Sequence, residues 1–269
     1  MAGSATFDRG RTISVGSVFS RSTDVVKANP VATLGTSFVL MALPQLVTGE
    51  LGRFGSAGML QDISAGLYVA AGGYALLVGA LWLVASGALV QATVAHDQGR
   101  KAAVSEMLRV GALRMLPLFA VYLLFTIGVS FGTMLLIVPG IMLAVMWSVS
   151  LPAVVAEHTG VFGAFGRSRA LTKGARWQVF GIMLLALVIY TLASAAVGVA
   201  SIAGSGSFAA ITRGARVATP TLPLLAQLLQ AVVTTVMLTW FTTVGAALFI
   251  ELRHWKDGPD ADRLVDIFA

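Results

Sequence analysis

MLPLFAVYLLFTIGVSFGTMLLIVPGIMLAVMWSVSLPAVVAE occupies residues 115–157, and no charged side chain separates Arg114 from Glu157. A helix rises 1.5 Å per residue, so crossing a hydrocarbon core of about 30 Å takes roughly 20 mainly apolar residues. The run from 115 to 156 is therefore two crossings, and Val138-Pro139-Gly140 is where they meet. Proline lacks the amide donor and glycine admits positive φ, which suits a tight turn between antiparallel helices. This divides the run into spans 115–137 and 141–156. The second is short and contains Pro152, so a re-entrant pair is the competing reading.

Four further stretches have the same character: 31–49, 67–95, 178–203 and 222–250. The longest of them imply tilt or extension beyond the bilayer. Composition agrees. Of 269 residues, 57% are apolar and 11% charged, with mean hydropathy +0.86. A soluble domain covers its surface with about a quarter charged residues, and lipid removes that need. Met1 to Arg11 has no short apolar core before a small-residue cleavage site, so the first span reads as uncleaved.

Charge placement orients the spans. With six crossings, one side holds Arg9, Arg11, Arg21, Lys27, Arg100, Lys101, Arg109 and Arg114. The same side holds Arg167, Arg169, Lys173, Arg176, Arg253, Lys256 and Arg263, leaving Arg53, Arg213 and Arg216 opposite. Basic residues accumulate in short cytoplasmic connections. The expectation is an all-α polytopic protein of a bacterial inner membrane, with both termini cytoplasmic. Its six transmembrane helices form three hairpins with interfacial amphipathic helices. Residues 1–30 form a cytoplasmic N-terminal segment, 31–250 the membrane domain and 251–269 a cytoplasmic tail.

The basic connections carry pattern. Val15, Val18, Phe19, Ser22, Val25 and Val26 fall on one helical face, and Asn29-Pro30 ends the segment. This reads as a helix lying on the inner leaflet. Phe19-Ser20-Arg21-Ser22 with Lys27 aligns without a gap on Phe165-Gly166-Arg167-Ser168 with Lys173. A middle segment shares Ser105, Leu108 and Gly111 with Ser168, Leu171 and Gly174. The pattern suggests a threefold repeat of interfacial helix plus hairpin. Within the spans, Ala71, Ala75 and Gly79 form one row of small residues, and Ser194 with Gly198 another, suited to close helix packing. Gln227, Gln230 and Thr234 share a face of the sixth span and are expected to point into the bundle. That face is either a polar pocket or helix-to-helix hydrogen bonding.

An ordered set of motifs adds a resemblance. Val138-Pro139-Gly140-Ile141, Trp147, Pro152 and Glu157 are followed by Arg167-Ser168, Leu171-Thr172-Lys173-Gly174 and Arg176-Trp177. Glu251-Leu252-Arg253 and Lys256-Asp257-Gly258 close the set. Between about residues 100 and 260 the chain resembles the membrane domain found with some glycerophosphodiester phosphodiesterases, and related bacterial six-helix inner-membrane proteins of unassigned function. The resemblance implies a helical membrane module standing apart from catalysis. In fused members the chemistry sits in a separate soluble barrel, for which this chain has no room.

The residues offer no catalytic constellation of their own. His96, His158 and His254 stand far apart at the basic boundary, and none has a second ligand at metal spacing. No thiol exists, and no GxSxG, P-loop or HExxH occurs. No enzyme activity, metal, cofactor or nucleic-acid partner is expected. The candidate site is the basic boundary itself: Arg167, Arg169, Lys173 and Arg176, with Glu157 and Glu251 nearby. Arginine forks match phosphate oxygens, so this set would contact an anionic phospholipid headgroup. The alternative is that both carboxylates simply pair with the arginines. The leading function is a lipid-interacting module in envelope or membrane homeostasis, with membrane lipids and other envelope proteins as partners. A transporter or lipid translocator lined by Gln227, Gln230 and Thr234, and a membrane enzyme acting on headgroups, are the alternatives.

Overall fold

The computed structural model describes residues 13–47, 65–204 and 224–258. Arg9, Arg11, Arg53, Arg213, Arg216 and Arg263 lie outside the described residues, as do the first twelve residues and the tail beyond Gly258. Helix α1 (Val15–Ala28) leads into α2 (Pro30–Ser37), which continues through a π-helical turn, Phe38–Ala42. Then come α3 (Ala65–Asp97), α4 (Val104–Leu113), α5 (Met115–Leu135), α6 (Ile137–Met146) and α7 (Ser150–Ala156). Helices α8 (Val161–Thr172), α9 (Arg176–Gly204) and α10 (Leu224–Asp257) complete the described chain. All regular structure among the described residues is helical.

Six helical spans are long and apolar enough to cross a membrane: Pro30–Val47, Val69–Asp97, Met115–Leu135, Ile137–Ala156, Arg176–Ala200 and Gln227–Asp257. The protein is an all-α polytopic membrane protein. The last span does not stop at 250; α10 runs unbroken through Asp257.

The 115–156 run folds into a hairpin, but its corner lies earlier than the Val138-Pro139-Gly140 turn expected from sequence. Leu136 alone is extended, at φ −161° and ψ 146°, and α6 starts at Ile137. Pro139 thus occupies the first turn of a helix, where a missing amide proton costs nothing. Gly140 serves packing rather than positive φ. A Cβ there would stand 2.7 Å from the Thr133 amide nitrogen, and one on Gly132 would stand 3.2 Å from the Gly140 Cα. The corner keeps its backbone bonded, with Leu136 N–H donating to Gly132 O at 3.1 Å and Gly140 N–H to Leu136 O at 3.4 Å. Unpaired backbone groups are costly in hydrocarbon, so a one-residue corner suits this setting. Met134, Leu135, Leu136, Ile137 and Val138 are all at least 65% exposed at the tip.

The core concentrates at the basic end. On α10, Val244, Ala246, Ala247, Leu248, Phe249, Ile250 and Leu252 are buried on every side, enclosed by α1, α3, α7, α8 and α9. Helix α1 does not lie alone on a leaflet, as its pattern suggested. Its stripe of Val18, Ser22 and Val25 is buried against α10 and α3, while Val15 at the start of the same face is exposed. Small residues on α3 make the fit: Val25 clusters with Ala88, Ala92 and Ala95.

Ala71, Ala75 and Gly79 remain exposed, and a Cβ on Gly79 would meet nothing within 4 Å among the described residues. The close approach on α3 occurs at Gly87, where a Cβ would meet the Gly111 Cα of α4 at 3.0 Å. Helix α9 is peripheral. Only 11% of its most apolar window is buried, against 50% for α10, and it packs chiefly on α10 and α6.

Candidate functional site

The basic end is built by the two segments that share the Phe-x-Arg-Ser pattern. In α1, Phe19 stacks on Trp240 at 5.4 Å with 11° between ring planes. In α8, Phe165 meets Trp147 edge-on at 5.0 Å and 67°. Each aromatic residue seats its helix and leaves the arginine two positions later pointing at carboxylates. Ser22 and Ser168 are both buried. Ser22 Oγ donates to Phe19 O at 2.8 Å, whereas Ser168 Oγ donates to Met146 O at 2.9 Å and accepts from Val149 N–H at 3.3 Å. The second serine therefore splices the break between α6 and α7.

The two arginines are occupied. Arg167 Nε lies 2.7 Å from Glu157 Oε2 and its Nη2 lies 2.7 Å from Oε1, with Asp257 of α10 bound on its other edge. The hydrogen bonds it donates to Glu157 outweigh desolvation, and with those to Asp257 they push the guanidinium pKa upward, so it stays charged. Arg21 forms an ion pair with Asp97 at the end of α3 and reaches Glu251 at 3.7 Å. His254 Nε2 lies 3.2 Å from the other Asp97 oxygen. Each arginine thus ties its own helix and the end of a spanning segment to the last turns of α10.

The middle segment does not repeat this arrangement. Ser105 is exposed where Ser168 is buried, and Gly111 is pressed against Val84 where Gly174 is an exposed turn at positive φ. Its charged residues make a different clip: Glu106 accepts from Gln91 at 2.8 Å and from Arg100 at 2.8 Å. Those two bonds, the first from Gln91, hold the Glu106 carboxyl below the usual glutamate range. The resemblance between segments is twofold rather than threefold.

Arg169, Lys173 and Arg176 are spaced i, i+4 and i+7, yet they do not form a stripe on one helix. Helix α8 ends at Thr172, Lys173 is extended at ψ 120°, and Gly174 takes φ +95°. That left-handed conformation favours glycine. The break resets the helical phase before α9 begins at Arg176. Arg169 and Lys173 are exposed and Arg176 is half-buried. Among the described residues, no carboxylate pairs with any of the three, and the buried Arg176 Nε has no hydrogen-bond partner. Of the expected acids, Glu157 joins Arg167, whereas Glu251 joins Arg21 on the far side of α10.

On the polar face of the last span, Gln230 and Thr234 line a cavity of about 210 Å³ with Tyr190, Ser194 and Gly198 of α9. Gln227, half-buried, lies about one turn nearer the start of α10. The face points at α9, and the Ser194–Gly198 row borders a gap rather than a close contact.

In the sequence Asp97 is assigned no pairing, and His254 and Asp257 are named without partners. Their signal was weak: titratable residues at helix ends, whose partners lie well outside local reach, 76 positions away for Asp97 with Arg21 and 90 for Asp257 with Arg167.

Similarity to known proteins supports the membrane character. The chain is 36% identical over 107 residues to a UPF0259 membrane protein of Pectobacterium carotovorum, a match covering 39% of this chain and 41% of that protein. The chain thus spans less than half the length of the curated relative it matches. No family model and no solved structure matches. The likeness and the six apolar helices together make this a multi-pass membrane protein akin to a bacterial one.

Proposed function

We propose that the chain is a non-catalytic module of a bacterial inner membrane whose basic end engages anionic phospholipid headgroups, in the service of envelope or membrane homeostasis. In this reading both termini are cytoplasmic. Residues 1–30 and 251–269 flank a membrane domain of 31–250, and other envelope proteins are partners. One observation carries it: Arg21 and Arg167 are consumed by carboxylates, while Arg169, Lys173 and Arg176 have none among the described residues. Within one stretch of chain, Arg167 is built into a structural clip and the next three cations are left unspent. Juxtamembrane cations attract anionic lipid by about 1 kcal/mol each, and a guanidinium adds a directional fork for phosphate. The exposed Trp177 next to Arg176 suits the headgroup boundary. The resemblance to the phosphodiesterase membrane domain fits a module placed beside lipid chemistry rather than performing it.

Native mass spectrometry of the purified protein tests this. Wild type should retain phosphatidylglycerol, and replacing Arg169, Lys173 and Arg176 together by Gln should remove it. Equal retention by both proteins would dismiss the headgroup site.

A second reading, lipid translocation, draws on the polar cavity bordered by Tyr190, Ser194, Gln230 and Thr234 within two spans. Reconstituted vesicles carrying a fluorescent phospholipid test it. Quenching of the inner-leaflet pool above the protein-free rate supports movement, and the protein-free rate excludes it.

A further inference from the structure

Between α6, α9 and α10 lies a second cavity of about 350 Å³, lined by Ile141, Val145, Phe180, Met183, Leu187 and Phe241 among others. We infer that this groove seats one acyl chain of the anionic phospholipid whose phosphate meets Arg176. The inference rests on the headgroup reading above and adds to it the lipid tail and its path.

Four observations converge. Arg176, Phe180, Met183, Leu184 and Leu187 follow at i, i+4, i+7, i+8 and i+11, one continuous face of α9. Arg176 is not itself in the lining, but it stands one turn before Phe180, the first lining residue of α9. From Arg176 to Leu187 the helix rises about 16 Å, half of a hydrocarbon core of about 30 Å. The groove matches the depth of one leaflet, on the side where the cations lie.

Ser148 lines the cavity, and its buried Oγ has no hydrogen-bond partner among the described residues. It sits near the entrance, because the adjoining Met146 carbonyl accepts from both Ser168 and Thr172, just before Lys173. A hydroxyl at that depth is placed to donate to a lipid ester carbonyl, a group found between phosphate and chain. Finally, apolar cavities exclude water, and one left unfilled forfeits the contacts of its lining. Helix α9 is mostly exposed on its outer side, so the material adjoining the groove is hydrocarbon.

Gly245 lines the groove, and a Cβ on it would meet nothing within 4 Å. Gly245→Leu therefore has an open Cβ position from which its side chain can extend into the groove. Gly181→Leu, equally unobstructed and absent from the lining, is the control. The intact protein is incubated with phosphatidylglycerol carrying a mid-chain diazirine, photolysed, and its adducts mapped by mass spectrometry. Wild type and Gly181→Leu should carry adducts concentrated on Met183, Leu187 and Phe241. Gly245→Leu should lose them roughly tenfold, one decade of affinity, with its thermal midpoint kept.

Wild-type adducts spread evenly over lipid-facing positions such as Leu123 and Leu192 would overturn the groove, and this arm needs no variant to fold. Unchanged adducts in Gly245→Leu would also overturn it, even if the Arg169/Lys173/Arg176 variant still loses bound lipid. Conversely, if that triple variant keeps full groove labelling, the headgroup half fails and the single-lipid seat fails with it.

Discussion

Arg167 grips Glu157 with two parallel hydrogen bonds of 2.7 Å, from Nε to Oε2 and from Nη2 to Oε1. Glu157 closes α7 and Arg167 lies in the following α8, so this fork fixes the angle at which the chain leaves the membrane segment. The same guanidinium also reaches Asp257, locking the end of α10 to that corner. Lysine offers a single rotatable ammonium and cannot reproduce this planar match.

Glu157→Gln and Arg167→Lys should therefore each destabilise the folded protein by on the order of 1–2 kcal/mol, the scale of a charge-assisted hydrogen bond at a partly exposed site. Thermal unfolding in detergent micelles would measure both, and the double variant with them. Additive losses would show that the two residues do not act as a pair.

Gly140→Ala and Gly111→Ala should both weaken the bundle, because each added methyl would enter neighbouring backbone. At Gly140 it meets the Thr133 amide at 2.7 Å, and at Gly111 the Val84 carbonyl carbon at 3.1 Å. Overpacking of this kind costs about 1–3 kcal/mol. Gly79→Ala, with nothing within 4 Å, should be neutral or slightly stabilising. Equal midpoints for all three variants would contradict the packing described.

The repeated aromatic seats should behave alike. Phe19→Ala and Phe165→Ala each remove a ring stacked or edge-on against a tryptophan. Each should cost on the order of 1–3 kcal/mol, from lost area and ring contact combined. Chemical denaturation followed by tryptophan emission would show it. A large loss for one and none for the other would break the equivalence of the two segments.

Acid should loosen the α3–α4 clip. Glu106 is held below the ordinary glutamate value by Gln91 first and Arg100 second. Its contribution is therefore present above the unfolded value of about 4.3 and disappears as pH falls through the lower folded value. Lowering pH from neutral to about 3 should reduce the wild-type midpoint more than that of Glu106→Gln. Parallel curves would remove Glu106 from the account.

The chain contains no cysteine, which makes orientation directly measurable. Gln98→Cys and Gly160→Cys place thiols on exposed positions of two basic connections. A membrane-impermeant maleimide should label both from the same side in intact cells or spheroplasts. Labelling from opposite sides would dissolve the three-hairpin arrangement.

Helix number and approximate extent were legible because a span is a matter of length and hydropathy, both local properties. The corner at Leu136 was misplaced because Val138-Pro139-Gly140 reads as a turn, although proline is equally at home in a first helical turn. The Ala71-Ala75-Gly79 row misled for another reason. In lipid, packed and lipid-facing surfaces are equally apolar, so hydropathy cannot tell Gly79 from Gly87. The candidate site was half legible. The pairing of Glu157 with Arg167, ten residues apart, lay within reach of local reading. Glu251 with Arg21 did not, since it depends on α1 docking against the far end of the chain.

The one-residue corner at Leu136 has a bearing on how the molecule looks from outside. Five consecutive large apolar side chains at that apex offer water nothing to hydrate, so the apex belongs in the oily slab or flush with its edge. Proteases, antibodies and aqueous reagents approaching from that face would find no handle on the central hairpin.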